Sequence, residues 1–496
     1  MENVNLANYS HGAGGFDENA LSQAPQTAQS VAELNKALEA GSLTGRDTAD
    51  NPNLSGAPLK VESLEKNLKV LTFSESDIKM WKRIPKAPAF NTVEEYLQLD
   101  SYGADRGGFN NEGELPEEED STYIRKAELV KFLGVTKSVT HPMTLVKNYI
   151  GNAVQREVTN GIQWILRKAD RGLFRANSEI VTQEWNGLYT QHHKNVAYPT
   201  LDSYQKNNSL VIDMRGKRLS EDSIESACLE IIRNFGHANL LVGPPSVLSN
   251  FVKNFHDKKL IAPNTPQVTS GVMGQNVNRF ASQFGEIELD YDIFAAKPHS
   301  KLVSAGADSN KAPAAPVSVG GTTTSNVLSQ FVTADAGDYI YAVAAKNRYG
   351  ESALTQITGG AIAVAAGESV SLQFTAGAGT YPANGFTVYR TKVNDTSPTA
   401  PLYPLFEISV QQLSQGYDGG AAGFVFDNNR WLPDTEEAML LESNANIYEF
   451  KQLAPLMKMP LAQLSPAQRF MVLLYGTPIL YQPKKMVRFI NIGTKS

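Results

Sequence analysis

Apolar side chains at Ile150, Val154, Val158, Ile162, Ile165, Ala169 and Leu173 follow one another at spacings of four, four, four, three, four and four. That rhythm puts them on one stripe of an α-helix, predicted from about Met143 to Phe174 and roughly 48 Å long at about 1.5 Å per residue. His141-Pro142 and Gly172 bound it. A repeat of mostly four does not keep the 3.5-residue seam of a coiled coil, so the expected role is a spine lying against a sheet. After it, residues 175 to 218 read as β-rich or irregular, with Trp185 and Tyr189. A second helix starts at Ser220, with Glu221 and Asp222 in its first turn, and should bury Ile224, Cys228, Ile231 and Phe235. Leu240 to Gly243 reads as a short buried strand, and Pro245 opens a third helix reaching Lys253.

Ahead of the spine the pattern is thinner. Residues 1 to 60 are rich in Gly, Asn, Ser and Ala and hold one helical signal at Val31, Leu34 and Leu38. Such a segment cannot bury enough apolar surface alone and reads as an extended arm. Residues 61 to 96, with Leu64, Leu68, Leu71, Ile78, Trp81 and Ile84 ahead of Pro85 and Pro88, suggest two short helices and a rigid turn. Residues 97 to 140 read as a long polar hairpin whose tip holds six carboxylates in nine positions: Glu112, Glu114, Glu117, Glu118, Glu119 and Asp120. Its second arm, Tyr123 to Val139, mixes β-formers with Lys126, Lys131 and Lys137 and is too polar for a domain core.

The texture changes between residues 305 and 430, where charges thin out and alternating pairs recur. Tyr339, Tyr341 and Val343 are followed by Val370, Leu372 and Phe374, then Phe386 and Val388, then Phe406, Ile408 and Val410, then Phe424 and Phe426. Short alternating strands separated by turn residues predict a two-sheet β-sandwich. The first texture returns after Trp431, which makes the sandwich an insertion. The stretch from Tyr339 to Ser352 is similar to a late strand and turn of an immunoglobulin-like or fibronectin type III module.

Composition narrows the function more than it identifies it. A chain of 496 residues exceeds what one core usually organises. A net charge of −6 leaves no basic footprint for sequence-specific nucleic-acid binding, though nonspecific contact on one surface is compatible with it. One cysteine, Cys228, excludes an intrachain disulfide framework and a thiolate zinc cluster. The opening Met1 to Leu6 has no basic, then apolar, leader pattern, and no run approaches a membrane span, so the expectation is a soluble chain made in the cytoplasm, with no membrane partner.

The search for chemistry is mostly negative. Phosphate-cradling glycine loops, a Gly-x-Ser-x-Gly elbow and His-Glu-x-x-His are all missing, which leaves no catalytic site, cofactor or metal to expect. His192 and His193 are adjacent and would point apart on a strand. The acidic run lacks the Asp-x-Asp-x-Asp-Gly spacing of a calcium loop and reads as a solvated tip or as a partner for a basic surface. Cys228 lies on the apolar stripe of its helix and reads as an inert core thiol.

What remains is shape: an arm, a long polar hairpin, a long helix and an exposed inserted sandwich, of which the arm and hairpin have no core of their own and gain stability by lying on another subunit. This order of elements resembles the major capsid protein of tailed bacteriophages, the Hong-Kong-97-type fold shared with encapsulins. The stretches that carry the likeness are Leu64 to Tyr96, the hairpin with Lys131 to Thr140, the spine at 143 to 174, and Ile479 to Ile492. It implies an α+β fold with an N-arm (1–60), N-terminal helices (61–96) and an E-loop hairpin (97–140). A peripheral domain (141–219 and 467–496), an axial domain (220–304 and 431–466) and an inserted immunoglobulin-like domain (305–430) complete it. It also implies a non-enzymatic virion protein, assembled in the host cytoplasm into pentamers and hexamers of an icosahedral shell around double-stranded DNA. Portal, scaffolding and decoration proteins are the further partners it suggests. The tip carboxylates would face a neighbour, with Arg167, Lys168 and Arg171 on the polar side of the spine as candidate counterparts. Rival readings are an encapsulin-like compartment and a secreted adhesion or carbohydrate-binding protein.

Overall fold

A computed structural model of the chain describes residues 72–103, 109–115, 118–146, 151–193, 210–253, 278–463 and 465–494. The N-arm, the leucines from Leu64 to Leu71, and Glu117 lie outside them. Four larger sheets and two two-stranded ribbons organise the described residues.

A four-stranded sheet runs in the order Lys86–Pro88, Tyr448–Pro460, Ala467–Leu480 and Lys131–Thr140. The spine helix lies across it and buries Ile165, Ala169, Leu173 and Phe174 against Phe450, Phe470, Val472 and Leu474. Gly161 permits the close approach, since a Cβ there would stand 3.1 Å from the Val472 side chain. The helix spans Ala153–Arg175, not 143–174, which shortens it to about 35 Å. Asn152 stops it: its side chain accepts from the backbone N–H groups of Val154 and Gln155, and Gly151 has φ +83. His141–Leu145 is a separate short helix, and Ile150 lies outside the described residues.

A six-stranded mixed sheet follows, in the order Val211–Asp213, Met486–Gly493, Thr435–Leu441, Leu240–Gly243, Gly285–Tyr291 and Arg279–Ser282. Its central strands are covered on both faces, which explains their continuous apolar runs. Leu240, Val242, Met439, Leu441 and Met486 share the spine's core. Leu241, Ala438, Leu440, Val487 and Phe489 pack under the helices Glu221–Arg233 and Pro245–Lys253, with Ile224, Cys228 and Ile231.

Several sequence expectations change here. The second hairpin arm breaks at buried Val130: Thr122–Leu129 pairs with Val93–Ser101, while Lys131–Thr140 joins the four-stranded sheet and packs on the spine. The stretch after the spine, read as β-rich or irregular, carries a helix, Leu188–His192, as well as the short strand Val211–Asp213. Phe235 is 91% exposed and not buried, because its helix ends at Arg233 and a φ of 60 turns the ring outward. Tyr448–Pro460 belongs to the spine's sheet and Met486–Gly493 to the other, because hydrogen-bonded register, not chain order, assigns them.

Between residues 317 and 427 two sheets enclose one core. One is Phe424–Asp427, Glu368–Thr375 and Val317–Ser325; the other is built on Tyr341–Asn347, Gly385–Arg390 and Tyr403–Ser409. Val319, Val370, Leu372 and Phe374 meet Tyr341, Val343, Phe386, Val388 and Ile408. Two details differ from the sequence pattern. Val410 begins a short helix, and in the last strand Val425, not Phe424 or Phe426, faces the core.

Arg390, 1% exposed, holds the two sheets together: its Nη1 lies 2.6 Å from Asp427 Oδ2, which also accepts from Tyr341 Oη at 2.8 Å. Arg215, on the loop after Val211–Asp213, donates to the Asn429 and Gln330 carbonyls at 2.7 and 2.9 Å and pairs with Asp335 at 3.1 Å. The sandwich is thereby tied to the six-stranded sheet by bonds made within one chain.

Candidate assembly interface

Alternation along Val93–Ser101 and Thr122–Leu129 gives the hairpin two faces of opposite fate. Opposed pairs share a side of an antiparallel ribbon, and the register matches Glu94 with Glu128, Tyr96 with Lys126 and Gln98 with Ile124. This side turns to its own chain. Tyr96 meets Tyr481 edge to face with centroids 5.1 Å apart, and Gln98 Nε2 donates to the Tyr481 carbonyl. Asn186 Nδ2 donates to Glu128 at 3.1 Å, and Lys484 lies 3.5 Å from Asp100. Desolvation there pushes the Tyr96 hydroxyl up to about 12.

The other side pairs Val93 with Leu129, Glu95 with Ala127, Leu97 with Arg125 and Leu99 with Tyr123. All five large apolar residues on it are solvent-exposed, Leu97 at 72% and Tyr123 at 67%. A diagonal Arg125–Glu95 ion pair is the charge on this face. Two short strands with one apolar face in water are marginal by themselves, so the face is an unmet surface. Its signal was present in the sequence as Val93-Glu-Glu-Tyr-Leu-Gln-Leu99, but only the register says which set of an alternating strand faces outward.

The tip is exposed as expected. Glu112, Glu114, Glu118, Glu119 and Asp120 are all at the surface, beside Phe109 and Leu115. Glu114 accepts from Asn111 N and Nδ2 at 3.1 and 2.9 Å, which closes the turn locally. Of the basic candidates, Arg167 is half-buried over the Phe73 ring at 5.3 Å. Lys168 and Arg171 reach the surface, but they lie in the electrostatic surroundings of Glu184 and of the sandwich residue Lys346.

Other polar clusters explain why the scaffold behind the hairpin is firm. Glu437, 2% exposed, receives Arg488 at 2.5 Å and Arg175 and Lys297 at 3.4 Å. Burial works against its charge, but the three cations overcome that and hold its carboxyl well below the usual range. His192 is fully buried, and its Nε2 meets the Met486 carbonyl at 2.9 Å; burial pushes its pKa down to about 4. Cys228 is buried and its thiol is pushed up to about 11 by desolvation. Among the described residues no three metal-ligating side chains cluster, and no helix is long and apolar enough to cross a membrane.

No family model matches the sequence. The chain is 24% identical over 463 residues to the major capsid protein of Staphylococcus phage K, covering 90% of this chain and 93% of that one. It is 23% identical over 492 residues to the putative major capsid protein of Enterococcus phage phiEF24C, covering 95% and 98%. Among solved structures, the capsid of the native GTA particle aligns at a TM-score of 0.44 and 7% identity over 90% of this chain and 98% of that one. The holo-SrpI encapsulin of Synechococcus elongatus PCC 7942 aligns at 0.39 and 8%, over 91% and 97%. Across nine tenths of its length the chain is similar in sequence to phage major capsid proteins.

Proposed function

We propose that the chain is a structural, non-enzymatic subunit of a virion, with a Hong-Kong-97-type fold, that self-assembles through rings of five and six into an icosahedral shell around double-stranded DNA. The carrying observation is the two-faced hairpin: one face anchored on Tyr481, Asn186 and Lys484, the other apolar and in water. Closed shells need repeated contacts between identical subunits. Burying each large apolar side chain of the outer face on a neighbour contributes on the order of 1.5–3 kcal/mol before ordering costs. The six-stranded sheet with its two helices is the proposed axial domain, and the spine's sheet the peripheral one. The sandwich is read as an immunoglobulin-like insertion. Tip carboxylates Glu112, Glu114, Glu117, Glu118, Glu119 and Asp120 would form a charged rim that orients the hairpin on basic groups of an adjacent copy, with Arg167, Lys168 and Arg171 as candidates. Portal, scaffolding and decoration proteins, and nonspecific contact with packaged DNA, complete the proposed partners.

Electron microscopy of the purified full chain tests this directly. Closed shells are expected from the wild type, and dispersed subunits with unchanged circular dichroism from the double variant L97E/L99E. Normal shells from that variant would remove the hairpin face from the mechanism. Co-purified protein cargo in place of DNA would favour a compartment shell, and subunits that never associate would return the chain to the adhesion reading.

A further inference from the structure

Two carboxyl groups meet beneath the short helix Met80–Arg83. Asp170 projects from the spine helix with no exposure, and Asp292, at the end of Gly285–Tyr291, is 1% exposed. Each accepts from the backbone of that helix: Asp170 Oδ1 from Trp81 N at 2.7 Å and Asp292 Oδ2 from Met80 N at 3.1 Å. Asp292 Oδ1 accepts from Phe294 N at 2.8 Å. The fourth oxygen, Asp170 Oδ2, is buried with no donor among the described groups. Two ionised carboxylates side by side in a low-dielectric interior repel, and an orphaned buried acceptor adds its own cost. One proton between them removes both penalties.

We propose that Asp170 and Asp292 hold a single proton in common, and that this acid–carboxylate pair is a proton-dependent clamp fixing residues 78–84 to the spine. The segment it holds carries Ile78, Met80, Trp81 and Ile84 into the main core, with Trp81 edge-on to Phe450 at 4.7 Å. Burial first, then the charge of Asp292, raises Asp170 to about 8; Asp292 is raised as well, chiefly by burial. The charged groups on the surrounding elements are already engaged. Lys79 pairs with Asp290 at 3.1 Å, Arg83 with Glu288 at 2.5 Å and Asp290 at 3.6 Å, and Lys82 with Glu75 at 3.4 Å. Arg167 stands over Phe73, and Arg175 donates to the Ala295 carbonyl at 3.2 Å. None of these is a histidine.

A native pKa above that of the unfolded chain means the folded state keeps a proton that the unfolded state gives up. The clamp is therefore strongest at acidic pH and is lost as pH rises through about 8. Hydrogen exchange of residues 78–84 in the full chain, normalised to Tyr341–Asn347 to cancel intrinsic base catalysis, should lose about tenfold protection or more between pH 7 and 9, since one pKa unit is a factor of ten. In D170N the amide keeps an acceptor for Trp81 and supplies a permanent donor toward Asp292, so protection should become flat over the same window. Wild-type protein at pH 7 should also show the infrared carbonyl band of a protonated buried carboxyl, which titrates away near pH 8. A flat wild-type profile, a D170N profile that still falls, or a wild-type spectrum without that band would each overturn the clamp. The spectrum stands even where D170N does not fold.

Discussion

Tyr96 and Tyr481 meet edge to face at 5.1 Å between centroids, and that contact decides which side of the hairpin is available to another subunit. Bonds from Gln98 to the Tyr481 carbonyl and from Asn186 to Glu128 hold the same side. With these contacts, Glu94, Tyr96 and Gln98 turn inward, and Val93, Leu97 and Leu99 are presented outward. The hairpin is thus less dependent on neighbours at its base than a coreless arm would be.

Truncating that anchor should loosen the hairpin without unfolding the chain. Y481A removes an aromatic pair worth about 0.5–1.5 kcal/mol beyond its burial. Limited proteolysis of unassembled subunits should then cut faster between residues 97 and 122, with the main unfolding midpoint little changed. Equal cutting rates in Y481A and wild type would show that the base is held by other contacts.

Charge reversal at the tip should act on assembly kinetics more than on folding. Glu118, Glu119 and Asp120 are exposed, so E118K/E119K/D120K should leave thermal stability nearly intact. Rim charges steer encounter and are screened by salt. Assembly followed by light scattering should slow at low ionic strength, and the gap from wild type should close as salt is added. Identical low-salt rates would leave the tip without a role.

The buried Arg390–Asp427 ion pair joins the two sheets of the sandwich. Removing a single partner from such a pair typically costs 3–5 kcal/mol, because the other charge is left buried and uncompensated. R390M should therefore expose Tyr341–Asn347 and Glu368–Thr375 to hydrogen exchange while the spine helix stays protected. R390M/D427L should recover part of the loss. Uniform loss of protection across the chain would mean that sandwich and shell domains unfold together.

Acid should weaken the fold through His192. Its native pKa of about 4 lies below the ordinary 6.5, so between those values the unfolded chain takes up a proton that the native state refuses. Stability is full above about pH 6.5 and falls as pH drops toward 4. H192Q, whose amide keeps a donor for the Met486 carbonyl but takes up no proton, should show a shallower decline in urea midpoints from pH 7 to 4.5. Parallel declines would place the acid sensitivity elsewhere.

Helix periodicity, the alternating strands of the sandwich and the acidic tip were legible one-dimensionally because each is a local property of spacing, burial preference and charge. The stripe from Val154 to Leu173 and the paired strands at Val370 to Phe374 and Phe386 to Val388 could be read without knowing what they pack against. The helix start could not be, since Asn152 competes with the apolar stripe for the chain direction and the cap prevails. Nor could the sheet memberships of Tyr448–Pro460 and Met486–Gly493, which include pairings with Lys86–Pro88 and Val211–Asp213, hundreds of residues away. The same holds for the buried pairs Arg390–Asp427 and Asp170–Asp292 and for the outward face of the hairpin. Charged residues brought together across such sequence distances leave no periodic trace, and a strand alternating polar and apolar becomes an interface only when tertiary contacts have covered its other side.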